Sequence, residues 1–294
     1  MDSTATIALV IALFIIMTGM GLSLTIDDFK RVLKYPVAIF VGFTNQIILL
    51  PIIGYVLIVI FKVDANIAMG TLILAACPGG STSNLITHLA KGDTALSVSL
   101  TAINSLITII TIPLIVNFGL LEFMSENAQI TAPIGKIAGS LLVVIALPLT
   151  IGMLIKKYSS SFADKMDKPV RVASTLVLVM VIIGIMVKEK ANLADYFEKA
   201  LYIAISLNLI TMLIGFISAR FSKLNFRQAL SISIESGNQN GTLAIHVAVI
   251  SLASPEFAIV AAVYSLIMYP TAVIPIIIGN KRAKKELELS KVTG

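Results

Sequence analysis

The 294-residue chain contains no tryptophan, one cysteine and two histidines, and only 13% of its residues are charged. Each scarcity excludes something. With Cys77 alone there is no internal disulfide framework and no thiolate metal cluster. His88 and His246 lie in different segments, each reads as an interhelical hydrogen-bonder, and together they supply no transition-metal set. Neither a nucleophile beside a base nor an HExxH pair is visible, so the sequence does not read as an enzyme. An ordinary soluble domain is about 25% charged and about 45–50% apolar, whereas this chain is 57% hydrophobic. It reads as an integral membrane protein.

A hydrocarbon core of about 30 Å needs about 20 apolar residues per helix. Cutting the sequence at its charged clusters gives nine such segments, at 4–24, 35–61, 67–90, 95–118, 134–155, 170–187, 200–219, 228–252 and 257–279. No connection is long enough for a soluble domain, so residues 1–294 read as one all-α polytopic membrane unit. The first span has neither a basic leader nor a cleavage site behind it, and is expected to be retained.

The net charge of +6 is informative through its distribution. Segments 25–34, 91–94, 156–171, 220–227 and 280–294 hold seventeen of the twenty-two lysines and arginines, against Lys62, Lys136, Lys188, Lys190 and Lys199 on the other side. The positive-inside rule then puts the C-terminus in the cytoplasm and the N-terminus outside, in a multi-pass protein of the cytoplasmic membrane. The basic surplus records topology, not a nucleic-acid partner. The one glycosylation-like triplet, Asn240-Gly241-Thr242, falls at membrane depth, where that modification cannot reach it.

Two spans do not read as smooth helices. Cys77-Pro78-Gly79-Gly80-Ser81-Thr82-Ser83-Asn84 interrupts span three, and Glu235-Ser236-Gly237-Asn238-Gln239-Asn240-Gly241-Thr242 interrupts span eight. Proline removes a backbone donor, glycine favours unwinding, and freed backbone groups survive at that depth only inside protein or beside a water-lined cavity. The two breaks lie about 160 residues apart. At that offset span one pairs with six, two with seven, three with eight and four with nine, in opposite membrane orientations. Inverted repeats with interrupted helices in matching positions point to a secondary transporter. Span two carries Thr44, Asn45 and Gln46 in its middle, and span four places Ser97, Thr101, Ser105 and Thr108 on one helical face. Spans five and six are bland scaffold.

Glu235 is the only acid between Arg227 and Glu256. A charge that deep costs about 2.5–3.5 kcal/mol on insertion scales. It reads as a sodium ligand, a proton carrier, or a buried protonated acid bonded to a neighbour. Gln46, Ser83, Asn84, Ser97, Thr101 and Gln239 offer the oxygens that a hard cation favours, and the region has no second acid with which to build a proton relay.

Taken together, Pro78 to Asn84, Lys91-Gly92-Asp93 with Ala95 to Thr101, and Glu235 to Asn240 resemble the sodium/bile-acid symporter family in a bacterial form, in the nine-helix variant that lacks the first helix. The resemblance implies two sodium ions. One site would comprise Ser83, Asn84, Ser97, Thr101 and Glu235; the other Gln46, Glu235, Ser236, Asn238 and Gln239, partly through backbone oxygens. Ser236 and Asn238 stand where the family commonly has a hydrophobic residue and a methionine. The resemblance further implies that the interrupted spans cross within a core of spans two, three, four, seven, eight and nine, which moves against a panel of spans one, five and six. The partners are then membrane lipid and an organic anion, bile-acid-like or a smaller carboxylate such as pantoate, bound near Ser81, Thr82, Asn240 and Gly241. The expected activity is sodium-coupled import by alternating access; a sodium-independent or proton-coupled carrier of related fold is the alternative.

Overall fold

The computed structural model describes residues 3–124, 134–166 and 193–293, with residues 169, 170, 172, 173, 176, 180 and 183 between the last two stretches. Every element among them is helical. Expected span six lies largely outside the described residues, as do Lys168, Arg171, Lys188 and Lys190 wholly.

Helix α1 (Ser3–Leu22) leads into a short α2 (Ile26–Lys34), which is stopped at its start by a capping box in which the Asp28 carboxylate accepts the Thr25 backbone N–H at 2.8 Å. Helix α3 (Pro36–Phe61) follows. The first interrupted pair is α4 (Ala65–Ala75), capped by Asp64, and α5 (Ser81–Leu89). Helix α6 (Thr94–Phe123), capped by Asp93, and α7 (Ile134–Tyr158) come next. After α8 (Leu193–Phe221), the second interrupted pair is α9 (Phe226–Gly237), capped by Asn225, and α10 (Gly241–His246), which continues through one wide turn to Ser251. Helix α11 (Ala258–Thr293) closes the chain. Five of these helices are long and apolar enough to cross a membrane, namely α3, α6, α7, α8 and α11.

The solvent preferences are inverted relative to a soluble protein. Phe40, Ile60 and Ile110 are more than 60% exposed on the outside, while Asn104, Thr108, Asn208 and Glu235 are wholly buried. Lipid accepts the first group, and each of the second must find its partner inside the bundle.

One departure from the sequence reading and two details beyond it bear on the helices. The expected end of span nine at 279 is overrun, because the basic tail continues the helix to Thr293 with Arg282 and Lys284 facing Glu286 and Glu288 at i,i+4 spacing. Pro113, Pro270 and Pro275 sit inside continuous helices, whereas Pro78, followed by two glycines, stands in a true break. Helices α3 and α7 each contain one wide π turn, at Asn45–Leu49 and Leu142–Ala146. Each ends two residues before a proline, Pro51 or Pro148, whose missing N–H and ring disfavour the ordinary i→i−4 ladder.

Small residues set the closest helix contacts. Gly21 of α1 and Gly152 of α7 touch backbone to backbone: a β-carbon on Gly21 would land on the Leu149 carbonyl, and one on Gly152 on the Thr18 carbonyl. Gly152→Val is therefore expected to pry α1 from α7 and destabilise the protein by about 1–3 kcal/mol, the usual cost of overpacking. A lowered thermal unfolding midpoint checks this.

Candidate functional site

The two interruptions meet. The Asn240 backbone N–H, at the start of α10, donates to the Cys77 carbonyl just before α5, at 3.0 Å. A β-carbon on Gly79 would lie 2.9 Å from the Asn238 carbonyl oxygen and 2.9 Å from Glu235 Oε2. No described glycine has a positive φ, so Gly79 is required by close approach and not by backbone conformation. Gly80 is different: its added methyl would meet the Asn240 side chain at an ordinary 3.6 Å.

Around this contact the carboxylate of Glu235 is wholly buried. Its Oε1 accepts from Ser83 Oγ of α5 at 2.6 Å and from Ser97 Oγ of α6 through a shorter contact. Thr101 Oγ1 lies 3.3 Å from both carboxylate oxygens, and Gln46 Nε2 donates to Oε2 at 3.1 Å. Asn84 Oδ1 joins the cluster, 2.8 Å from Ser97 Oγ and 3.2 Å from Thr101 Oγ1. All five residues expected at the first sodium site are thus in one cluster, with Gln46 beside them.

The proton count in this cluster is revealing. Ser83, Ser97 and Thr101 bring three hydroxyl hydrogens, yet they take part in seven oxygen–oxygen contacts with Glu235, Asn84 and the Gly80 carbonyl. The hydroxyl hydrogens are therefore fewer than the oxygen–oxygen contacts they serve. The hydrogen-bonding side chains around the carboxylate, from Gln46, Ser83, Ser97 and Thr101, are all neutral. An oxygen-rich cluster of this kind around a buried carboxyl group suits a hard cation.

The second expected set is arranged less tightly. Gln46 Oε1 accepts from Asn104 Nδ2 at 2.6 Å, so Gln46 links α6 to Glu235. Gln239 Nε2 donates to the Ser236 carbonyl at 2.7 Å, and the Ser236 hydroxyl returns to its own helix at the Ile232 carbonyl. Asn238 Nδ2 likewise bonds the Ile234 carbonyl. Four buried amide oxygens, on Asn104, Asn208, Asn238 and Gln239, have no hydrogen-bond partner among the described residues. Each such oxygen costs about 1–3 kcal/mol when left unsatisfied, and a hard cation is the kind of partner that would satisfy them.

Three contributors were not among the expected site residues. Asn104 orients Gln46; Asn208 Nδ2 and the Tyr264 hydroxyl both donate to the Gly237 carbonyl, at 2.6 and 2.8 Å, and fix the end of α9. Asn104 lies one turn beyond Thr101, a spacing that could have singled it out. Asn208 and Tyr264 become meaningful only once α8 and α11 are packed against the break. His246 meets Ser140 of α7 at 3.5 Å, an interhelical contact.

Beside the cluster lies a cavity of about 600 Å³. Ser81, Thr82, Asn240 and Gly241, the expected substrate residues, all line it, against apolar walls that include Ile16, Met20 and Met268. Its lining carries no charged side chain among the described residues. Asn240 has a second duty, since its Oδ1 caps α10 at the Leu243 N–H, 3.1 Å away. Gly79→Ala is expected to separate the two breaks and lower stability by about 1–3 kcal/mol, while Gly80→Ala is tolerated; paired thermal unfolding midpoints check the contrast.

Comparison with known proteins identifies the family. Residues 10–196 match the sodium bile acid symporter family. The chain is 29% identical over 256 residues to an uncharacterised sodium-dependent transporter, YocS, of Bacillus subtilis, covering 87% of this chain and 78% of the relative. It is 28% identical over 282 residues to a probable chloroplastic sodium/metabolite cotransporter, BASS1, of Arabidopsis thaliana, covering 95% and 68%. Identity to the human ileal sodium/bile acid cotransporter is 28% over 253 residues, 86% of this chain and 72% of the relative. These relatives are transporters, not enzymes. With its interrupted helices joined around a buried acid and most of its length matched, the chain is a member of the sodium bile acid symporter family.

Proposed function

We propose that this protein is a sodium-coupled symporter that imports a small organic anion by alternating access. The observation that carries the proposal is the buried Glu235 carboxylate, whose side-chain hydrogen-bond donors are all neutral. A charge at membrane depth surrounded by uncharged oxygens needs a cation to be stable there. The first sodium ion is held by Ser83, Asn84, Ser97, Thr101 and Glu235. The second is held by the side chains of Gln46 and Gln239 with backbone oxygens of Glu235, Ser236 and Asn238, and the orphaned Gln239 Oε1 supports this assignment.

The architecture proposed with it has nine spans in inverted repeats, the N-terminus outside and the C-terminus cytoplasmic. Helices α4–α5 and α9–α10 cross within a core that also contains α3, α6, α8 and α11. The core moves against a panel of α1, α7 and the span at 170–187. The substrate occupies the cavity at Ser81, Thr82, Asn240 and Gly241. With no charged side chain in that lining among the described residues, an anion relies on the N-terminal ends of α5 and α10 and on the field of the nearby sodium ions. Coupling follows, because sodium makes the cavity attractive to the anion and the anion reciprocally favours sodium. A bile-acid-like or smaller carboxylate substrate, such as pantoate, fits these requirements.

The expected result is a higher thermal unfolding midpoint in sodium than in potassium, by about 2.7 kcal/mol of stability when sodium is a hundredfold above its dissociation constant. Glu235→Gln abolishes the sodium response and stabilises the protein in potassium, since it removes a buried charge without its cation. Uptake of a labelled organic anion into proteoliposomes that proceeds equally without a sodium gradient would point instead to the sodium-independent or proton-coupled carrier. Gln239→Leu is expected to reduce the cooperativity of sodium activation toward that of a single ion, read from the Hill slope of uptake.

A further inference from the structure

A second cavity, of about 770 Å³, lies away from the Glu235 cluster, where α1 turns into α2 and α7 ends. Its size falls within the range of about 300–1,000 Å³ usual for small-molecule sites. Its walls are apolar: Leu24 and Phe29 from the α1–α2 turn, Leu106 of α6, and Leu149, Met153 and Leu154 of α7. Its charged lining is three lysines, Lys30, Lys156 and Lys157, against one carboxylate, Asp27. Ile26, Leu106 and Leu154 are 56%, 40% and 47% exposed, so the groove is open along its side as well as at its end.

The arrangement has a direction. From Leu149 to Lys157 helix α7 rises about 12 Å, so the ammonium groups stand one acyl half-length above the apolar floor. Lys156 pairs with Asp164 at 2.5 Å and Lys30 with Asp27 at 3.2 Å, but Asp164 and Asp27 are 68% and 77% exposed. The Lys30–Asp27 pair is exposed at both ends and worth little, so a phosphate can replace Asp27 there; Lys156 is only 22% exposed, and a phosphate would join Asp164 at it or compete with it. Lys157 lies 5.4 Å from the Tyr158 ring centre, with its ammonium at the level where membrane helices present tyrosine and lysine to headgroups. A soluble anion would use the lysines and leave the floor empty. An uncharged lipid would use the floor and leave Lys30 and Lys156 with Asp27 and Asp164 alone, and Lys157 against the Tyr158 ring.

We infer that this groove is a binding site for an anionic phospholipid, whose phosphate engages Lys30, Lys156 and Lys157 and whose acyl chain lies against Leu106, Leu149, Met153 and Leu154. Basic pockets between membrane helices are a recognised form of headgroup site. The occupant would touch α1, α2, α6 and α7 together, and so act as a brace between helices that otherwise share few polar contacts.

The test uses the purified full chain in detergent. It is titrated with phosphatidylglycerol, with phosphatidylcholine of the same acyl chains, and with potassium phosphate, following the thermal unfolding midpoint and lipid retention by native mass spectrometry. Phosphatidylglycerol is expected to stabilise and to be retained, and the other two are not. Lys156→Gln with Lys157→Gln weakens that binding about fivefold per lysine. Leu154→Trp, which fills the groove from its open side, reduces retention without changing charge. The sodium response is the control for folding in every variant. Equal stabilisation by phosphatidylcholine, an equal response to potassium phosphate alone, or full retention of phosphatidylglycerol in both variants would overturn the inference. So would a two-chain species that Leu154→Trp abolishes, which would assign the groove to a second copy of the chain.

Discussion

One buried carboxylate organises the molecule. Glu235 draws hydroxyls from α5 and α6 and an amide from α3 onto a single point at the end of α9. In water such an arrangement would be unremarkable, because solvent would screen the charge and supply any missing hydrogen. In a hydrocarbon layer the same charge obliges the neighbouring elements to present donors, and α3, α5 and α6 do so through side chains.

Much of this was legible in the sequence because the membrane makes polarity expensive. Ser83, Asn84, Ser97, Thr101 and Glu235 stand out in apolar runs, and all five converge in space. The helix breaks were equally visible, since a proline with two glycines and a run of amides have few other uses in a membrane span. What sequence did not disclose depends on packing. Asn208 is an ordinary residue on α8 until it reaches the Gly237 carbonyl, whereas Tyr264, which the sequence already allowed to face the site, meets it there. The wide turns in α3 and α7 depend on how a helix accommodates a proline, which at Pro113 or Pro270 it does without any such turn. The tail from Lys281 to Lys285 signalled an anchor through its charge, but its helical continuation rests on pairing with Glu286 and Glu288.

The same physical logic separates the parts of the molecule by tolerance. Where backbones touch, as at Gly21 and Gly152 or at Gly79, a single added carbon has nowhere to go. Where side chains line the cavity, the contacts are looser and the chemistry can change without disturbing the frame. Members of one family can in this way keep a common frame while their cargo differs.

The hydrogen bond between Asn240 and Cys77 sharpens that separation. Both of its ends are main chain, so neither side chain is needed to make it. Any residue other than proline at position 240 can keep that bond, while one without a side-chain acceptor gives up the cap on the Leu243 N–H. The same residue faces the cavity. The joint therefore has two layers: a main-chain bond that survives a change of side chain, and a side-chain cap limited to the few residues that can accept from the Leu243 N–H.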